Sequence, residues 1–180
     1  MALVVKDLKL VFSQEQIQKR VSELAAQIEK DYNNEEIVIV CVLKGAIFFF
    51  ADLVRQIHND KIKLDTLRVS SYGDDVNSSG QVKFEKDLDL DIKGKHVLLV
   101  EDVIDTGITM LQVFEHLKLR EAKSIKLAAL IDKKERRETD IKIDYPGFVL
   151  NEGFIVGYGI DFAQQYRQLP AIYDATVVDE

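Results

Sequence analysis

The chain has 180 residues, of which 47% are hydrophobic and 31% are charged, and this predicts one folded domain over residues 1–180 with a substantial core. Its net charge of -7 argues against affinity for nucleic acid through a broad basic surface, which needs clustered lysines and arginines. The sequence shows neither a basic leader followed by an apolar stretch nor an apolar run near the roughly 20 residues of a membrane span. We therefore expect a cytoplasmic protein that contacts neither nucleic acid nor a membrane.

The first predicted element is an amphipathic helix. Apolar residues recur at helical spacing from Ile17 to Ile28, and Ser13 with Gln16 three residues later forms a capping box. These two signals together predict a helix that begins directly after Ser13.

A strand, a turn and a second helix follow. The β-branched run 37–43 predicts a buried strand, and Cys41 within it is expected to be a small buried hydrophobe, since a single cysteine cannot form an intramolecular disulfide. Helical length and spacing resume over residues 46–58. A second extended segment, about 63–71, leads into the polar, glycine-bearing stretch 72–80, which predicts a mobile loop.

The centre of the chain repeats the alternation of strand and helix. Residues 96–101 predict a third strand, a helix follows the polar segment 102–109, and a fourth strand covers about 125–131. Because strands that are apolar throughout alternate with helices, we predict an α/β fold with a parallel sheet covered on both faces. Ligands in such folds bind at the carboxyl ends of the strands.

The last part of the chain has a less regular pattern. We predict a core over about residues 10–145 and a small flap over one edge of the sheet. The flap would consist of residues 146–180 together with N-terminal residues.

Two adjacent carboxylates, Glu101 and Asp102, follow the apolar run 97–100 at the end of what should be a central strand. Like charges in a poorly solvated place raise one another's pKa, so such a pair needs a cation or hydroxyl donors nearby. Vicinal ribose hydroxyls and Mg²⁺ would satisfy both needs. The alternative is a solvated loop with acids at a strand end, since structural ion pairs also perturb the pKa of acids.

The segment 105–109, with the sequence Asp-Thr-Gly-Ile-Thr, turns directly from the strand into a helix. Gly107 permits backbone torsions that turn successive N–H groups toward one point, and the helix dipole favours an anion there. Thr106 and Thr109 add hydroxyl donors, so the segment predicts a phosphate cradle. Acids suited to a diol beside amides suited to a phosphate together predict a ribose 5-phosphate site.

Residues 97–110 resemble the phosphoribosyl pyrophosphate signature of the type I phosphoribosyltransferases. The chain is also similar, in order and spacing, to the hypoxanthine-guanine branch of that family at residues 43–46, 71–73, 132–133 and 154–161. The resemblance implies the type I phosphoribosyltransferase fold, a central and mainly parallel sheet flanked by helices with a small irregular hood. The predicted flap would be that hood.

The resemblance also implies an activity. The enzyme would transfer the 5-phosphoribosyl group of phosphoribosyl pyrophosphate to hypoxanthine or guanine in purine salvage, giving IMP or GMP and pyrophosphate. Mg²⁺ is the implied cofactor, and a homodimer or homotetramer is the implied assembly. Whether xanthine is also accepted stays open, because that depends on small displacements at the purine 2-position.

The signature implies roles for the residues around the phosphoribosyl group. Glu101 and Asp102 would contact the ribose hydroxyls and Mg²⁺, and Asp105 would be the general acid/base at purine N7. The alternative for Asp105 is that it caps the following helix. The implied phosphoribosyl and 5-phosphate contacts are Glu101, Asp102, Asp105, Thr106, Gly107, Ile108 and Thr109.

The remaining implied contacts come from segments outside the signature. Pyrophosphate would meet a loop with a cis peptide at Lys44 and Gly45, and the guanidinium of Arg167. The Lys133 ammonium only donates hydrogen bonds, so it would select a carbonyl at purine C6 and reject adenine. Ser71 and Tyr72 would belong to the loop that closes over the site. The other implied purine contacts are Phe154, Ile155, Ile104 and Asp161, and Asp161 would alternatively bind a second metal ion.

Each of these assignments has a structural alternative. Lys44 and Gly45 would otherwise be a strand-ending turn, Arg167 a surface residue and Phe154 a core residue. The mixed-charge run 133–138 predicts a solvated turn beyond Lys133.

Two other functions share parts of this pattern. The triplet Asp105-Thr106-Gly107 is also the signature of aspartic proteases, but those place it in an all-β framework. A phosphoribosyltransferase fold can also serve as an RNA-binding regulator of pyrimidine genes. The pI near 5.1 argues against that role, which stays as the alternative function.

Overall fold

The computed structural model of the chain describes residues 3–71 and 82–179. The predicted loop 72–80, including Tyr72, lies outside these residues, and the side chain of Ser71 is likewise not described. The described strands are β1 (Leu3–Phe12), β2 (Ile37–Leu43), β3 (Ile62–Ser71), β4 (Val82–Lys86), β5 (His96–Ile104), β6 (Ser124–Lys133), β7 (Tyr145–Leu150), β8 (Ile155–Val156) and β9 (Ile172–Asp179). The described helices are α1 (Gln14–Tyr32), α2 (Ile47–Val54) and α3 (Ile108–Lys118).

A six-stranded sheet forms the centre of the protein, with the strand order β4-β3-β2-β5-β6-β7. The pairs from β3 through β7 are parallel, and β4 adds an antiparallel edge. The sheet is therefore mainly parallel, as predicted, and its carboxyl ends meet at one edge.

Both faces of this sheet are buried because successive residues of each strand point to opposite sides. On β5, Leu98 and Val100 pack in the cluster that contains the apolar faces of α1 and α2. Val97 and Leu99 pack in the second cluster, together with the apolar face of α3. The predicted doubly covered sheet is confirmed, with two helices on one face and one on the other.

The first helix begins where its cap predicts. The Ser13 hydroxyl accepts a hydrogen bond from the Gln16 N–H at 3.3 Å, and the Gln16 side chain accepts one from the Ser13 N–H at 2.8 Å. Helix α2 is shorter than the predicted 46–58. The chain leaves the helix after Val54 in a tighter turn, and the His58 N–H then bonds to the Glu29 side chain of α1.

The acidic pair lies inside a strand rather than after it. Strand β5 continues past the predicted end at residue 101 and stays paired with β6 as far as Ile104 and Asp132. Glu101 and Asp102 are thus held by the sheet itself, which fixes the direction of both side chains.

The C-terminal part of the chain is divided between two sheets. Strand β7 pairs in parallel with β6, from Tyr145 opposite Ala128 to Leu150 opposite Lys133, so residues 146–150 belong to the central sheet and not to the flap. Proline and glycine are unfavourable inside strands, so Pro146 and Gly147 made this strand hard to recognise from the sequence. The separate three-stranded sheet, in the order β1-β9-β8, joins the N-terminal strand to the last strand.

None of the helices in the described part of the chain combines the length and the apolar composition that crossing a membrane requires.

Candidate active site

A cavity of about 140 Å³ lies at the carboxyl end of β5, where the strand gives way to α3. Most of the residues predicted for the ribose and phosphate site line it, although they come from strand, turn and helix. Its lining consists of Glu101, Val103, Ile104, Asp105, Thr106, Gly107, Thr109 and Met110.

The two carboxylates of the acidic pair are held by neighbouring backbone groups. The Asp102 N–H donates to the Glu101 carboxylate at 2.9 Å, and the Val103 N–H donates to the Asp102 carboxylate at 2.8 Å. Burial, followed by the charge of Asp102, raises the pKa of Glu101 well above its usual range. Within residues 3–71 and 82–179, neither carboxylate forms an ion pair with a lysine or arginine. The alternative of two acids in a solvated loop is wrong, because both residues lie within β5.

The Asp102 side chain packs directly on the turn that follows β2. A Cβ atom placed on Gly45 would lie 1.7 Å from the Asp102 carboxylate, so a larger residue there would have to displace that carboxylate. The peptide bond between Leu43 and Lys44 is cis. Gly159 approaches the same turn from the C-terminal segment, since a Cβ atom on it would lie 1.9 Å from the Gly45 carbonyl oxygen.

The turn between β5 and α3 has the geometry that its sequence predicts. Gly107 occupies the N-cap position with φ of 84°, a left-handed conformation that favours glycine, and no side chain in the described part of the chain caps the helix. The Ile108 N–H bonds to the Thr106 hydroxyl at 3.3 Å. Asp105 therefore does not cap α3, and the first turn of the helix leaves N–H groups for an anion.

Asp105 is held at one oxygen and left without a partner at the other. Its Oδ2 atom lies 3.3 Å from the Arg136 guanidinium. Its Oδ1 atom is buried and accepts no hydrogen bond from the described residues. A buried carboxylate oxygen without a donor is costly, so this atom is suited to accept a proton or hydrogen bond from a ligand.

The segment 134–139 packs beneath this turn, and the prediction that it is a solvated turn is wrong for Arg137. The Arg137 side chain is 15% exposed and donates to the backbone oxygens of Ile104, Asp105 and Lys133. Arginines in a mixed-charge run usually face solvent, and nothing local in the sequence distinguishes Arg137 from Arg136.

Lys133 ends β6 next to the buried Asp132, which pairs across the sheet with Ile104. This register places the lysine on the strand adjacent to Asp105. No ion pair of Lys133 occurs in the described ranges, which leaves its ammonium available to a ligand. Ile104 is buried and lines the cavity.

A second cluster surrounds the turn at Lys44. The Gln164 side-chain oxygen accepts from Lys44 Nζ at 3.1 Å and from Arg167 Nη2 at 3.3 Å. Arg167 also donates to the Gly159 carbonyl at 2.7 Å, so it is not a free surface residue. The structure thus brings Lys44, Gly45 and Arg167 together, as the resemblance implies. Gln164 was missed in the sequence because no motif marks it.

Asp161 is engaged within this cluster. Its carboxylate pairs with Arg167 at 2.7 Å and accepts the Gln164 N–H at 2.7 Å. No group of three or more histidine, cysteine, aspartate or glutamate side chains in the described ranges is placed to hold a metal ion. Asp161 therefore does not join Glu101 and Asp102 in such a group.

Phe154 and Ile155 lie in the hood. The Phe154 side chain is 45% exposed and makes an edge contact with Phe162 at 5.4 Å between ring centres, so its alternative as a core residue is wrong. Ile155 is buried in β8, opposite Asp174 of β9. Neither residue lines the cavity at the end of β5.

Comparison with known proteins places this geometry in a family. The sequence profile of the phosphoribosyl transferase domain matches residues 11–163. The chain is 47% identical over 169 residues to the hypoxanthine-guanine phosphoribosyltransferase of Aquifex aeolicus, covering 93% of this chain and 94% of that protein. It is 44% identical over 164 residues to the Bacillus subtilis enzyme of the same name, covering 91% of each.

The fold matches as well as the sequence. A crystal structure of a hypoxanthine-guanine phosphoribosyltransferase from Bacillus anthracis, with a HEPES molecule in the active site, superposes with a TM-score of 0.89 at 46% identity. The match covers 96% of this chain and all of that one. The chain therefore belongs to the phosphoribosyltransferase family, and its architecture is the type I phosphoribosyltransferase fold.

Proposed function

We propose that the protein is a purine-salvage phosphoribosyltransferase. It would transfer the 5-phosphoribosyl group of phosphoribosyl pyrophosphate to hypoxanthine or guanine and release IMP or GMP and pyrophosphate. The observation that carries this proposal is the buried Oδ1 of Asp105, which has no hydrogen-bond partner among the described residues and lies between the acidic pair and the glycine turn at the start of α3. The similarity to hypoxanthine-guanine phosphoribosyltransferases, at 47% and 44% identity, supports the same activity.

The glycine turn would bind the 5-phosphate. Backbone N–H groups at the start of α3 and the hydroxyls of Thr106 and Thr109 offer donors around one cavity. Ile108 would contribute its N–H, which the structure pairs with Thr106. The unpaired carboxylates of Glu101 and Asp102 would accept hydrogen bonds from the ribose hydroxyls.

The same two carboxylates would hold Mg²⁺. They are poorly solvated, lack a cationic partner among the described residues and disfavour double ionisation. A bound cation would relieve this repulsion. The ion would neutralise charge on the pyrophosphate that leaves.

Bond exchange at the ribose would follow from this placement. The bond from C1 to the pyrophosphate oxygen breaks and its electron pair leaves with pyrophosphate, while purine N9 forms the new bond to C1. The proton on N7 would pass to Asp105, whose buried Oδ1 accepts no hydrogen bond from residues 3–71 or 82–179. Removal of this proton makes purine N9 more nucleophilic as C1 becomes positive.

Pyrophosphate would bind between the cis-peptide turn and the C-terminal segment. Lys44 and Arg167 both donate to the Gln164 side-chain oxygen. An oxygen of the leaving pyrophosphate would take the place of this Gln164 oxygen as their acceptor. Gly45 would supply its N–H. Arg167 would exchange its ion pair with Asp161 for a bidentate contact with phosphate, which would free Asp161 for the base 2-substituent or a second Mg²⁺.

The purine would be selected by Lys133, whose ammonium donates to the 6-oxo group. Phe154 would stack on the ring, the Ile155 backbone would meet its edge, and Ile104 would pack against the other face. The exposed Phe154 ring supports this role, because an aromatic ring that is not packed in the core is available for stacking.

We further propose that the enzyme is cytoplasmic and forms a homodimer or homotetramer. Light scattering of the purified protein would measure its assembly. Ser71 and Tyr72 would belong to the loop that excludes water from the reacting ribose.

The test is pyrophosphate release from phosphoribosyl pyrophosphate and Mg²⁺, with hypoxanthine, guanine, xanthine, adenine and uracil compared in parallel. We expect release with the 6-oxopurines and loss of release when a chelator removes Mg²⁺. Activity with uracil alone, or with none of the bases, would instead favour the RNA-binding regulator of pyrimidine genes.

A further inference from the structure

We propose that Arg137 is a positioning residue that connects the phosphate-binding turn, residues 105–109, to the end of β6 at Lys133. The parts of the site that hold the phosphate and the base of a nucleotide would then keep a fixed separation. This inference rests on the proposed function. It assigns Arg137 no contact with substrate.

Arg137 holds the chain where the phosphate-binding turn begins. Its Nε donates to the Asp105 carbonyl oxygen at 2.9 Å, and its Nη2 donates to the Ile104 carbonyl oxygen at 3.0 Å. These carbonyls belong to the last residue of β5 and the first residue after it. The guanidinium therefore fixes the backbone from which the Asp105 side chain projects.

The same guanidinium holds the end of β6. Its Nη2 lies 3.0 Å from the Lys133 carbonyl oxygen and 2.6 Å from the Asp132 carboxylate. Asp132 is almost fully buried, with its side chain 6% exposed. An arginine suits this place because its planar fork carries several donors in fixed directions, whereas a lysine offers one flexible ammonium.

The strand pairing between β5 and β6 does not provide this connection. The ladder between β5 and β6 ends at Ile104 and Asp132, which is where the proposed catalytic and base-selecting residues begin. Beyond that point, the Glu138 N–H and the Thr139 hydroxyl bond to the Thr106 carbonyl at 3.0 and 3.2 Å. Residues 137–139 thus extend the coupling between the two strands past the end of the sheet.

The two halves that Arg137 joins would contact different parts of the ligands. Phosphoribosyl pyrophosphate carries the phosphate but no base, whereas IMP carries both in one molecule. Loss of the connection therefore weakens the binding of IMP more than the binding of phosphoribosyl pyrophosphate, because only IMP requires both halves at a fixed separation.

The experiment measures dissociation constants of IMP and phosphoribosyl pyrophosphate by calorimetry for Arg137→Met and Arg137→Lys. We expect the IMP constant to rise by about tenfold or more in both variants, and that of phosphoribosyl pyrophosphate by about threefold or less. Arg137→Lys keeps a positive charge beside Asp132 but lacks the fork, so it provides the test if Arg137→Met does not fold.

Arg20→Met is the matched control. Arg20 also donates to two backbone carbonyls, those of Gly147 at 3.0 Å and Pro146 at 2.7 Å, but it ties α1 to β7. We expect this variant to keep the wild-type ratio of the two constants. If the wild-type protein binds IMP and the ratio of the two dissociation constants is unchanged in Arg137→Lys, the inference is refuted but the proposed function is not. If the wild-type protein binds no IMP, the proposed function is refuted as well.

Discussion

Substituting Gly159 by alanine tests whether the turn at Lys44 and Gly45 serves catalysis. Gly159 has φ of 101°, and an added Cβ would lie 1.9 Å from the Gly45 carbonyl oxygen. Its own carbonyl accepts a hydrogen bond from Arg167. The added methyl group would therefore displace both the Gly45 turn and the Arg167 contact of the proposed pyrophosphate site, without removing a polar group.

The structure sets the size of the effect. Cβ atoms essentially never approach another atom within 3.0 Å, so the alanine methyl and the Gly45 carbonyl must separate by about 1 Å. Misplacing a substrate-binding group by about 1 Å costs on the order of 100-fold in rate. The positive φ adds a folding cost of about 1–3 kcal/mol.

The assay is pyrophosphate release at varied phosphoribosyl pyrophosphate, with stability measured by urea denaturation. Gly94→Ala is the control, because Gly94 also has a positive φ of 69° but nothing lies within 4 Å of its added Cβ. We expect both variants to lose stability, and only Gly159→Ala to lose about 100-fold in kcat/KM. Equal kcat/KM in the two variants would show that the position of the Gly45 turn does not matter for the reaction.

Four further changes test separate parts of the structure. Asp105→Asn is expected to lower kcat by about 100-fold or more while phosphoribosyl pyrophosphate affinity changes little, since the turn amides survive; near-normal turnover would remove Asp105 from the mechanism. Lys133→Ala should narrow the preference for hypoxanthine over adenine by about tenfold or more, and an unchanged preference in the same assay would contradict the 6-oxo contact. Ser13→Ala removes the capping box of α1 and should cost about 1 kcal/mol in urea denaturation with no change in turnover; lost turnover would link α1 to the site. Burial and the nearby Glu101 and Asp102 carboxylates raise the pKa of the Cys41 thiol to about 12. The folded protein at about pH 8 should therefore resist Ellman's reagent and react after unfolding. Fast labelling of the native state would contradict that burial.

The sequence pattern was sufficient wherever the signal was local. The helix after Ser13 starts where its cap predicts, and the apolar run 37–43 is a buried strand. The glycine turn at 105–109 lies between a strand and a helix, as its composition indicates. These elements depend on residues a few positions apart, and short spacings are visible in a linear sequence.

The boundaries were less accurate where pairing decided them. Strand β5 runs to Ile104 because β6 continues beside it, although the acids at 101 and 102 suggested an earlier end. Strand β7 carries Pro146 and Gly147, yet it closes the sheet because Gly147 lets its backbone approach Leu130. In both places the hydrogen bonds offered by a neighbouring strand outweighed local propensity.

The sequence by itself indicated the fold class and most of the residues that line the cavity at the end of β5, because a continuous segment from 101 to 110 supplies the lining. Only the tertiary structure decided how that segment is held. Arg137 reaches back about thirty residues to Ile104, and Gln164 joins Lys44 to Arg167 across an even longer interval. Contacts of this kind depend on how the folded strands and loops meet in space, and no spacing along the chain encodes them.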